Sequence, residues 1–484
     1  MKVLDAIRSH AEARPDHPAL VSSDEVDRVV SYAELVAQMT EIAGELTRAG
    51  VGAGDRCGLR AQQGEIFVLH ALAILEAGAC LVPIPEDTTG EALTASIAEC
   101  ALHHLVEAVP DRVVTTLSRA SEPSADDAAF RALSPAYMRF TSGTTDQRKG
   151  VIVGAASVAA RLENANGTLG IGPDDKILWL LPMAHHFLVS ILLYLRFGAT
   201  IVLPRSSLAK EVLGLAARTR ATVFYASPYH YNLLAKDKSD VGLPDVRLAV
   251  STADGLRESV ATGFRKRFGF PLVQALGIIE VGLPVINVAS AASKPTALGQ
   301  VAPGYEVWLR AEDGSELTRS APDATGEICI RGTGLFDAYL RPFVLASELL
   351  DRGSFRTGDQ GWFDEAGDLH LAGRRSNRIN MAGMKFFCEE VEAALDAHSA
   401  IKMSRVYAKQ HPHLGEIPAA EVVLVDPAHE PSRRELTEHL RERIARYKIP
   451  REFQRVESLE TTATGKVRRW ATEAERSPDS DVKG

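Results

Sequence analysis

The chain has 484 residues, too many for one ordinary hydrophobic core, so two or more domains are expected. Its formal net charge of −9 argues against a general binder of nucleic acid or anionic membrane, because both need a positive field. Apolar residues make up 45% of the chain, and the longest nearly apolar stretch, 187–195, is far shorter than the roughly 20 residues that span a bilayer. We therefore expect a cytoplasmic protein with no membrane span and no nucleic-acid partner.

The cysteines are scattered along the chain, and none belongs to a Cys-x-x-Cys pair. They are Cys57, Cys80, Cys100, Cys329 and Cys388. This pattern predicts small buried side chains rather than a disulfide framework or a zinc site. The histidine pairs at 103–104 and 185–186 also lack further ligands at metal spacing.

The first helix is expected after Ser31, which can form a capping box with Glu34. Apolar residues then recur on one face until Gly50 ends the pattern. These residues are Leu35, Met39, Ile42 and Leu46.

From residue 176 onward, short apolar runs alternate with segments of helix length. The runs are Ile177–Leu181, Thr200–Leu203, Thr222–Ala226, Leu248–Val250 and Leu272–Ala275. This alternation predicts βαβ units and a mainly parallel sheet. Shorter strands are expected afterwards, for example Glu327–Arg331.

A polar, positively charged stretch at 373–376 interrupts the apolar pattern and predicts a domain boundary, with domains at 1–375 and 376–484. The second domain should contain an amphipathic helix with Leu436, Leu440 and Ile444 at intervals of four. Residues 433–476 carry 12 Lys and Arg against 8 Asp and Glu. This excess indicates either a solvated helix face or a docking surface for a phosphate-bearing or acidic partner.

Residues 141–150 have a composition that suits a polyphosphate, and they follow the short apolar stretch Tyr137–Phe140. They include Thr141, Ser142, Gly143, Thr144, Thr145 and Lys149. Hydroxyls and backbone amides of such a loop donate to phosphate oxygens, while the lysine offsets their charge. It is not a Walker loop, because Lys149 precedes Gly150 instead of following a glycine. Alone, the segment is also compatible with a polar surface turn.

Five further motifs follow in order along the chain. They are Leu276-Gly277-Ile278-Ile279-Glu280, Gly326-Glu327, Thr357-Gly358-Asp359, Gly373-Arg374 and Thr462-Ala463-Thr464-Gly465-Lys466. With the loop at 141–150, they make the sequence resemble the adenylate-forming superfamily of acyl-CoA synthetases, peptide-synthetase adenylation domains and beetle luciferases. The resemblance runs from the turn at 77–79 to Lys466, nearly the whole chain. It implies an α/β fold, with a large N-terminal domain of mainly parallel sheets and helices and a small mobile α+β C-terminal domain.

The resemblance also implies ATP and Mg²⁺ as cofactors. In this family the loop matching 141–150 surrounds the β- and γ-phosphates, and the acid matching Glu280 holds Mg²⁺, a hard cation that prefers oxygen ligands. Leu276 and Gly277 match the adenine-binding segment. Asp359 matches the carboxylate that accepts hydrogen bonds from the ribose hydroxyls. Arg374 matches an arginine that also reaches the ribose.

Lys466 matches the family's catalytic lysine, which contacts the attacking carboxylate and the α-phosphate region, where negative charge builds as pyrophosphate leaves. In this family the C-terminal domain then swings to admit a thiol. Ser376 takes the position of the pivot residue. Gly383 matches the glycine near which pantetheine passes, and Lys385 is a candidate contact for a phosphate.

Four positions depart from the family pattern. The loop usually has glycine at Asp146 and proline at Arg148, and an added carboxylate beside phosphates is unfavourable. Leu276 replaces the aromatic residue that stacks on adenine, which predicts weaker ATP binding. Ile279 replaces a threonine that hydrogen-bonds the α-phosphate. A degenerate nucleotide-binding homologue without turnover is therefore kept as an alternative.

The carboxylic acid is expected to lie between the segment 182–187 and the end of the strand before Glu280. His185, His186 and Ile278 are the candidate pocket residues. Because His186 stands where amino-acid-activating relatives carry an aspartate for the α-ammonium group, an ordinary α-amino acid is disfavoured. Apolar neighbours indicate an aryl or short-to-medium acyl acid.

The acceptor stays open at this stage. Coenzyme A and the phosphopantetheine arm of a carrier protein present the same thiol, and the basic stretch 433–476 suits either. Since no carrier domain follows Lys466, a carrier would be a separate protein. The predicted enzyme is thus an AMP-forming acid–thiol ligase, with a small carboxylic acid and CoA or a carrier as its partners.

Overall fold

A computed structural model describes residues 1–23, 28–109, 112–116, 126–140, 149–461 and 467–468. In the first part of the chain the helices are α1 (Lys2–Ala13), α2 (Tyr32–Arg48), α3 (Glu65–Glu76), α4 (Gly90–Glu99) and α5 (Asp126–Ala132). The strands there are β1 (Pro18–Ser22), β2 (Arg28–Ser31), β3 (Arg56–Ala61), β4 (Cys80–Ile84), β5 (His104–Val109), β6 (Arg112–Thr116) and β7 (Pro135–Phe140).

The chain from 149 to 286 alternates strands and helices. In order these are β8 (Gly150–Gly154), α6 (Ala155–Leu169), β9 (Lys176–Trp179), α7 (Met183–His186), α8 (Ile191–Arg196), β10 (Thr200–Leu203), α9 (Ala209–Thr219), β11 (Val223–Ala226), α10 (Pro228–Lys236), β12 (Leu248–Ser251), α11 (Glu258–Phe268), β13 (Val273–Ile278) and β14 (Gly282–Ile286).

Short strands dominate the remainder. They and the last helices are β15 (Gln300–Val301), β16 (Tyr305–Arg310), β17 (Gly326–Gly332), β18 (Ala338–Tyr339), β19 (Val344–Leu345), α12 (Ala346–Leu349), β20 (Phe355–Phe363), β21 (Leu369–Arg374), β22 (Arg378–Met381), β23 (Met384–Phe387), α13 (Cys388–Asp396), β24 (Ile401–His411), β25 (Gly415–Leu424), α14 (Arg433–Arg441) and β26 (Glu452–Arg455). Two 3₁₀ turns lie at Arg375–Asn377 and Arg446–Lys448.

Two large sheets form the body of the molecule. Among the described residues, one has the order β15-β14-β13-β12-β11-β9-β10-β1-β2 and the other β19-β18-β8-β7-β4-β3-β5-β6. The central strands of each run parallel, while the flanking strands are antiparallel. One continuous hydrophobic core, with Leu59 and Tyr137 from the second sheet and Ile177 and Ile201 from the first, joins the two. The predicted α/β class with mainly parallel sheets is confirmed.

Three expectations from the sequence need correction. Helix α2 has the expected capping box of Ser31 and Glu34, but α1 precedes it, so it is not the first helix. Helix α14 ends at Arg441, and Ile444 lies beyond it, although this side chain still packs against the core that holds Leu440. A turn follows Arg441, and the amide of Ile444 donates to the carbonyl of Leu440 at 2.9 Å, which keeps Ile444 at that core although the helix has ended. The parallel βαβ arrangement also begins earlier than expected, at β3.

The C-terminal segment forms its own sheet, in the order β23-β22-β25-β24 with β26 added beside β25. Helices α13 and α14 pack on it through a separate core that includes Phe386, Val391, Leu395 and Leu440. All cysteines are buried and free, as expected. None of the helices in the described part of the chain has the length and apolar character needed to cross a membrane.

Two sets of ion pairs connect this segment to the body. Arg257 lies 3.1 Å from Asp396 at the end of α13 and also donates to the carbonyl of Lys402. Glu312, in the turn after β16, accepts from both Arg378 and Lys385. Burial raises the pKa of the Asp396 carboxyl to about 6, against the opposing influence of Arg257 and Ser404.

The substitution Asp396→Asn is expected to gain stability relative to the wild type as pH rises. The carboxyl group binds its proton more tightly in the folded chain than in the unfolded chain. At acidic pH it is neutral in both states and no charge is buried, whereas above about pH 6 the buried charged form destabilises the fold by the full amount. The shift of about two pKa units corresponds to about 3 kcal/mol. Urea unfolding of both proteins between about pH 4 and pH 7 measures this difference.

A suitable control is Asp426→Asn in the same domain. Hydrogen bonds from Ala428 and His429 lower the pKa of the exposed Asp426 carboxyl. Asp426→Asn should therefore lose stability relative to the wild type as pH rises through the range below about pH 4, and its stability difference should stay constant between about pH 4 and pH 7. A pH-independent difference for Asp396→Asn would show that this carboxyl titrates alike in both states.

Candidate active site

The carboxyl ends of the central parallel strands of the first sheet meet at one edge, where ligands of open α/β sheets bind. Helix α7 follows β9 at this edge, Thr252 follows β12, and the turn 279–281 follows β13. The hydroxyl of Thr252 donates to the carbonyl of Ala275, joining two of these ends. Strand β7 of the second sheet ends nearby, because Arg139 donates to the carbonyl of His185 in α7. The two sheets thus meet at this edge, which is called the cleft below.

Glu280 lies buried in the turn between β13 and β14. Its Oε1 accepts a 3.0 Å hydrogen bond from the hydroxyl of Tyr339 on β18. Burial, followed by the charge of Glu280, raises the pKa of Tyr339 above its ordinary value. The phenol therefore remains a hydrogen-bond donor to the carboxylate of Glu280.

Lys149 joins this group. Its Nζ lies 4.8 Å from the centroid of the Tyr339 ring, a cation–π distance. Tyr339 pairs with Val151 in the adjacent strand β8, two residues after Lys149. The structure thus brings together the end of the predicted phosphate loop and the predicted magnesium ligand, which are 131 residues apart in the sequence.

The buried carbonyls of the turn at Glu280 depend on Arg161 of α6. This arginine is 1% exposed and donates to the carbonyls of Ile279 at 2.7 Å and Glu280 at 2.8 Å, and also to that of Gly334. Burial lowers the pKa of its guanidinium to about 10, so it stays charged near neutral pH. Arg161 and Tyr339 were both missed from the sequence. An arginine on the apolar stripe of α6 was the available signal for the first, whereas Tyr339 carries none.

A carboxylate in this environment fits a magnesium ion. Mg²⁺ takes hard oxygen ligands and is usually held by one or two carboxylates together with substrate phosphates. The described residues contain no group of three His, Cys, Asp or Glu side chains arranged to hold a metal. Glu280 would therefore be the protein ligand and the phosphates would complete the coordination.

The two predicted ribose ligands are neighbours. Asp359 on β20 lies opposite Arg374 on β21, and Arg374 Nε donates to Asp359 Oδ1 at 2.9 Å. Asp359 is buried, whereas the Arg374 side chain is 61% exposed. The pair places a carboxylate acceptor at the end of the segment that leads into the C-terminal sheet.

The candidate adenine segment lies at the end of β13. Leu276 is half-buried and pairs with Val285 of β14, and Gly277 is exposed. A Cβ at Gly277 would lie 3.5 Å from the Thr252 hydroxyl, so only ordinary contacts surround this position. An aliphatic side chain thus stands where the family resemblance predicts an aromatic ring.

The substitution Leu276→Tyr is expected to lower the KM for ATP by about 2- to 10-fold, because aromatic stacking is worth roughly 0.5–1.5 kcal/mol beyond area burial. Initial rates at varied ATP and saturating acid measure this effect. The KM for the acid serves as the internal control. Equal changes in both KM values would count against an adenine contact at this position.

The candidate pocket histidines have different surroundings. His185 has a buried Nδ1 without a hydrogen-bond partner in the described part of the chain. Burial, and then the charge of Arg139, lowers the pKa of His185 to about 4, so its imidazole is neutral near pH 7. His186 packs edge-on against Trp179, whose ring stacks on Tyr225 at 5.0 Å. Ile278 is half-buried beside the same strand end.

The predicted hinge and thiol-path residues lie on the C-terminal side of Arg374. Ser376 is exposed within the 3₁₀ turn, and its hydroxyl donates to Asn377. Gly383 has φ 89° in the turn between β22 and β23, with open space around its Cα. Lys385 is bound to Glu312, so a phosphate at this lysine would have to displace that ion pair.

The basic stretch 433–476 is partly neutralised by acids in its surroundings. Lys448 pairs with Glu390, and Arg455 pairs with Glu430. Arg434 pairs with Glu438 within α14. The local excess of positive charge is therefore smaller than the sequence count indicates.

Several predicted site residues lie outside the described residues. They are Thr141, Ser142, Gly143, Thr144 and Thr145 of the loop, its unusual Asp146 and Arg148, and Lys466. Their predicted roles remain predictions.

A two-sheet body, a carboxylate–lysine cluster at the meeting strand ends and a small C-terminal unit together define an adenylate-forming enzyme. Solved structures support this fold. Anthranilate CoA ligase in complex with anthranoyl-AMP superposes with a TM-score of 0.81 at 21% identity, covering 96% of this chain and 95% of that one.

The chain belongs to the AMP-binding enzyme family. The family model matches residues 7–340, and the model of the AMP-binding enzyme C-terminal domain matches residues 390–466. The 2-succinylbenzoate–CoA ligase of Bacillus subtilis (strain 168) is 25% identical over 96% of both chains. Delta-poly-L-ornithine synthetase of Acinetobacter baumannii is 26% identical over 98% of this chain, which spans 37% of that protein's length. These findings place the chain among the AMP-forming acid–thiol ligases.

Proposed function

We propose that this enzyme activates a carboxylic acid with ATP and then transfers the acyl group to the thiol of CoA. A carboxylate oxygen attacks the α-phosphorus, the bond to the bridging oxygen of the β-phosphate breaks, and pyrophosphate leaves. The thiol sulfur then attacks the acyl carbon of the adenylate, AMP departs with its oxygen, and the thiol proton passes to water. The grouping of Glu280, Tyr339 and Lys149 at the cleft is the observation that carries this proposal.

The charged groups at the cleft have separate tasks in this reaction. Lys149 offsets the charge of the phosphates, and Glu280 would hold the magnesium ion, which withdraws charge from the phosphate oxygens when bound. Asp359 accepts from the ribose hydroxyls, with Arg374 keeping its carboxylate in position. Leu276 and Gly277 border the adenine. Thr141–Thr145 surround the distal phosphates, following the family resemblance.

The proposed domain division assigns the phosphate-binding residues to 1–375 and Lys466 to a lid at 376–484. The separate hydrophobic core of the C-terminal sheet supports a unit that can move as one body. Ser376 is the proposed hinge, because it lies exposed between β21 and β22. Rotation about it would have to break the contacts of Arg257 and Glu312, and would then bring Gly383 and Lys385 towards the thiol.

The acid is proposed to be an aryl or short-to-medium acyl acid. The candidate pocket residues are His185, His186 and Ile278; the ring of Trp179 packs beside His186, and that of Tyr225 stacks on Trp179. Such a lining favours an acyl group with a flat or apolar body. Two proteins similar to this chain are named as ligases of the aryl acids 2-succinylbenzoate and anthranilate.

Pyrophosphate exchange across a panel of aryl and aliphatic acids tests the proposal. Acid-dependent exchange is expected for at least one class, followed by AMP formation when CoA is added. A phosphopantetheinylated carrier protein in place of CoA separates the two acceptors. Absence of exchange with every acid would contradict the activation step.

The replacements at Leu276 and Ile279 favour one competing function, a nucleotide-binding homologue without turnover. Calorimetry distinguishes the two. The competing function predicts ATP binding that no acid converts to pyrophosphate. The catalytic proposal predicts turnover that requires both ATP and an acid.

A further inference from the structure

Arg139 is a charged residue at the cleft that the proposed reaction does not use. It lies at the end of β7, immediately before the predicted phosphate loop, and is half-buried. Arg139 pairs with Val151 of β8, and Val151 pairs with Tyr339 of β18. Side chains directly opposite each other in antiparallel strands share a face. Arg139 therefore faces the same side of the sheet as Tyr339.

The distance between these two positions follows from the sheet. They are two strands apart, and neighbouring strands lie about 4.7–4.9 Å apart, so their backbones are separated by about 10 Å. Tyr339 contacts Glu280 and Lys149, the proposed phosphate and metal region. Arg139 instead reaches α7 and donates from Nη1 to the carbonyl of His185. Arg139 thus borders the proposed acyl pocket, and its distance from the proposed phosphate region is about the length of a short carboxylic acid.

The guanidinium lacks a counter-ion within the described ranges. Its Nε is buried and makes no hydrogen bond there, and no carboxylate of a described residue forms an ion pair with it. Asp87, whose charge also acts on His185, is exposed and forms no such pair. The adjacent imidazole of His185 is neutral and its Nδ1 is likewise unpartnered. Tyr137, on the same face, is a buried phenol whose pKa burial raises.

A half-buried cation surrounded by neutral groups is costly unless an anion completes it. The bond from Nη1 fixes the guanidinium, and the neutral phenol of Tyr137 is a second partner. Nε has no partner within the described ranges, so the edge formed by Nε and Nη2 has no anionic partner there. This edge suits the two oxygens of a carboxylate, which a guanidinium binds through two parallel hydrogen bonds. In its Nδ1–H tautomer, His185 can add a third donor.

We propose that Arg139 is a specificity-determining residue that binds a second anionic group on the acid substrate, so that the preferred acids carry two negative charges. This inference rests on the proposed acid activation. The reacting carboxylate lies towards Lys149, and the second anionic group lies against Arg139 and His185. A short dicarboxylic acid or an aryl acid with a second acidic substituent spans the intervening distance. The phosphates of ATP are the other possible source of the anion.

Matched pairs of acids test this assignment. Each pair has the same carbon skeleton with one or two carboxylates, such as benzoate with isophthalate and pentanoate with glutarate. Wild-type enzyme should prefer the dianionic member of at least one pair in kcat/KM. Arg139→Met should reduce that preference by about 10- to 100-fold, mainly through the KM for the dianion, since hydrogen bonds to charged groups have this magnitude. Arg139→Lys should restore part of this preference, because lysine returns the positive charge but not the bidentate geometry of the guanidinium.

A second arginine supplies the control. Arg220 is exposed, pairs with Asp245 and lies before β11, at the amino ends of the strands and away from the cleft. Arg220→Met should keep the wild-type preference. Thermal melting of each variant checks that it folds.

Three results would overturn the assignment. The first is an unchanged preference in Arg139→Met. The second is a rise in the KM for ATP that is equal for both members of a pair, which would assign the anion to phosphate. The third is equal affinity of wild type and Arg139→Met for isophthalate and for glutarate, measured by calorimetry. This measurement decides the role of Arg139 if no acid supports exchange, because the proposed function itself has then failed.

Discussion

Lys466→Ala is expected to slow acyl-adenylate formation by about 10²–10³-fold, the usual effect of losing one preorganised charge at a developing anion. The lysine is proposed to draw the attacking carboxylate to the α-phosphate and to offset the charge that builds there as pyrophosphate leaves. Pyrophosphate exchange measures the loss directly. Transfer from a supplied acyl-adenylate to CoA should remain, because this second step does not need the lysine.

The matched control is Lys409→Ala in the same domain. Lys409 is exposed and paired with Glu452, so its removal should leave both steps near the wild-type rate. Adenylation by Lys466→Ala at a rate close to wild type would remove this residue from the reaction. Parallel loss of both steps would instead indicate a misfolded C-terminal domain, which thermal melting would reveal.

Arg161→Met is expected to lower the free energy of unfolding by about 3–5 kcal/mol, because it removes a buried charged donor from three main-chain carbonyls, and hydrogen bonds of charged groups contribute roughly 1.5–3 kcal/mol each. The guanidinium donates to the carbonyls of Ile279, Glu280 and Gly334. The Glu280 carbonyl keeps the amide of Phe336 as a donor, whereas those of Ile279 and Gly334 lose the donor that Arg161 supplies. Urea unfolding measures the loss. The turn that carries Glu280 should also shift, so the magnesium concentration needed for half-maximal exchange should rise.

Arg331→Met is the matched control for this variant. Arg331 pairs with Glu306 at the surface, with both side chains at least half exposed, and such pairs contribute about 1 kcal/mol or less. A similarly small loss for Arg161→Met would show that the turn finds other donors. An unchanged magnesium requirement would separate the structural role of Arg161 from the position of Glu280.

Much of the fold could be predicted from the sequence because apolar periodicity reports which residues face a core. The runs beginning at Ile177, Thr200 and Leu248 became buried strands of one sheet. Helix α1 was missed, because its short amphipathic pattern has no side-chain cap to mark its start. The sequence also predicted too long a C-terminal helix, because the spacing of apolar residues does not show where a helix ends. A turn that follows the helix can place the next apolar residue at the same core.

The candidate site was only partly visible in the sequence. Glu280, Asp359 and Arg374 belong to short motifs, and the order of these motifs can be read along the sequence. Arg161 and Tyr339 stand in no such motif. Both residues contact Glu280 or its turn, and these contacts form only when the chain folds.

The sequence by itself determined the class of enzyme, because the identity and order of its polar motifs are written along the chain. The tertiary structure decided which of those residues contact one another. Strand register placed Tyr339 between Lys149 and Glu280, and it placed Arg139 on the same face about 10 Å away. A side chain's counter-ion and hydrogen-bond partners come from residues distant in sequence. For this reason the sequence marked Glu280 as a functional carboxylate, whereas only the packed sheets revealed that no carboxylate among the described residues forms an ion pair with Arg139.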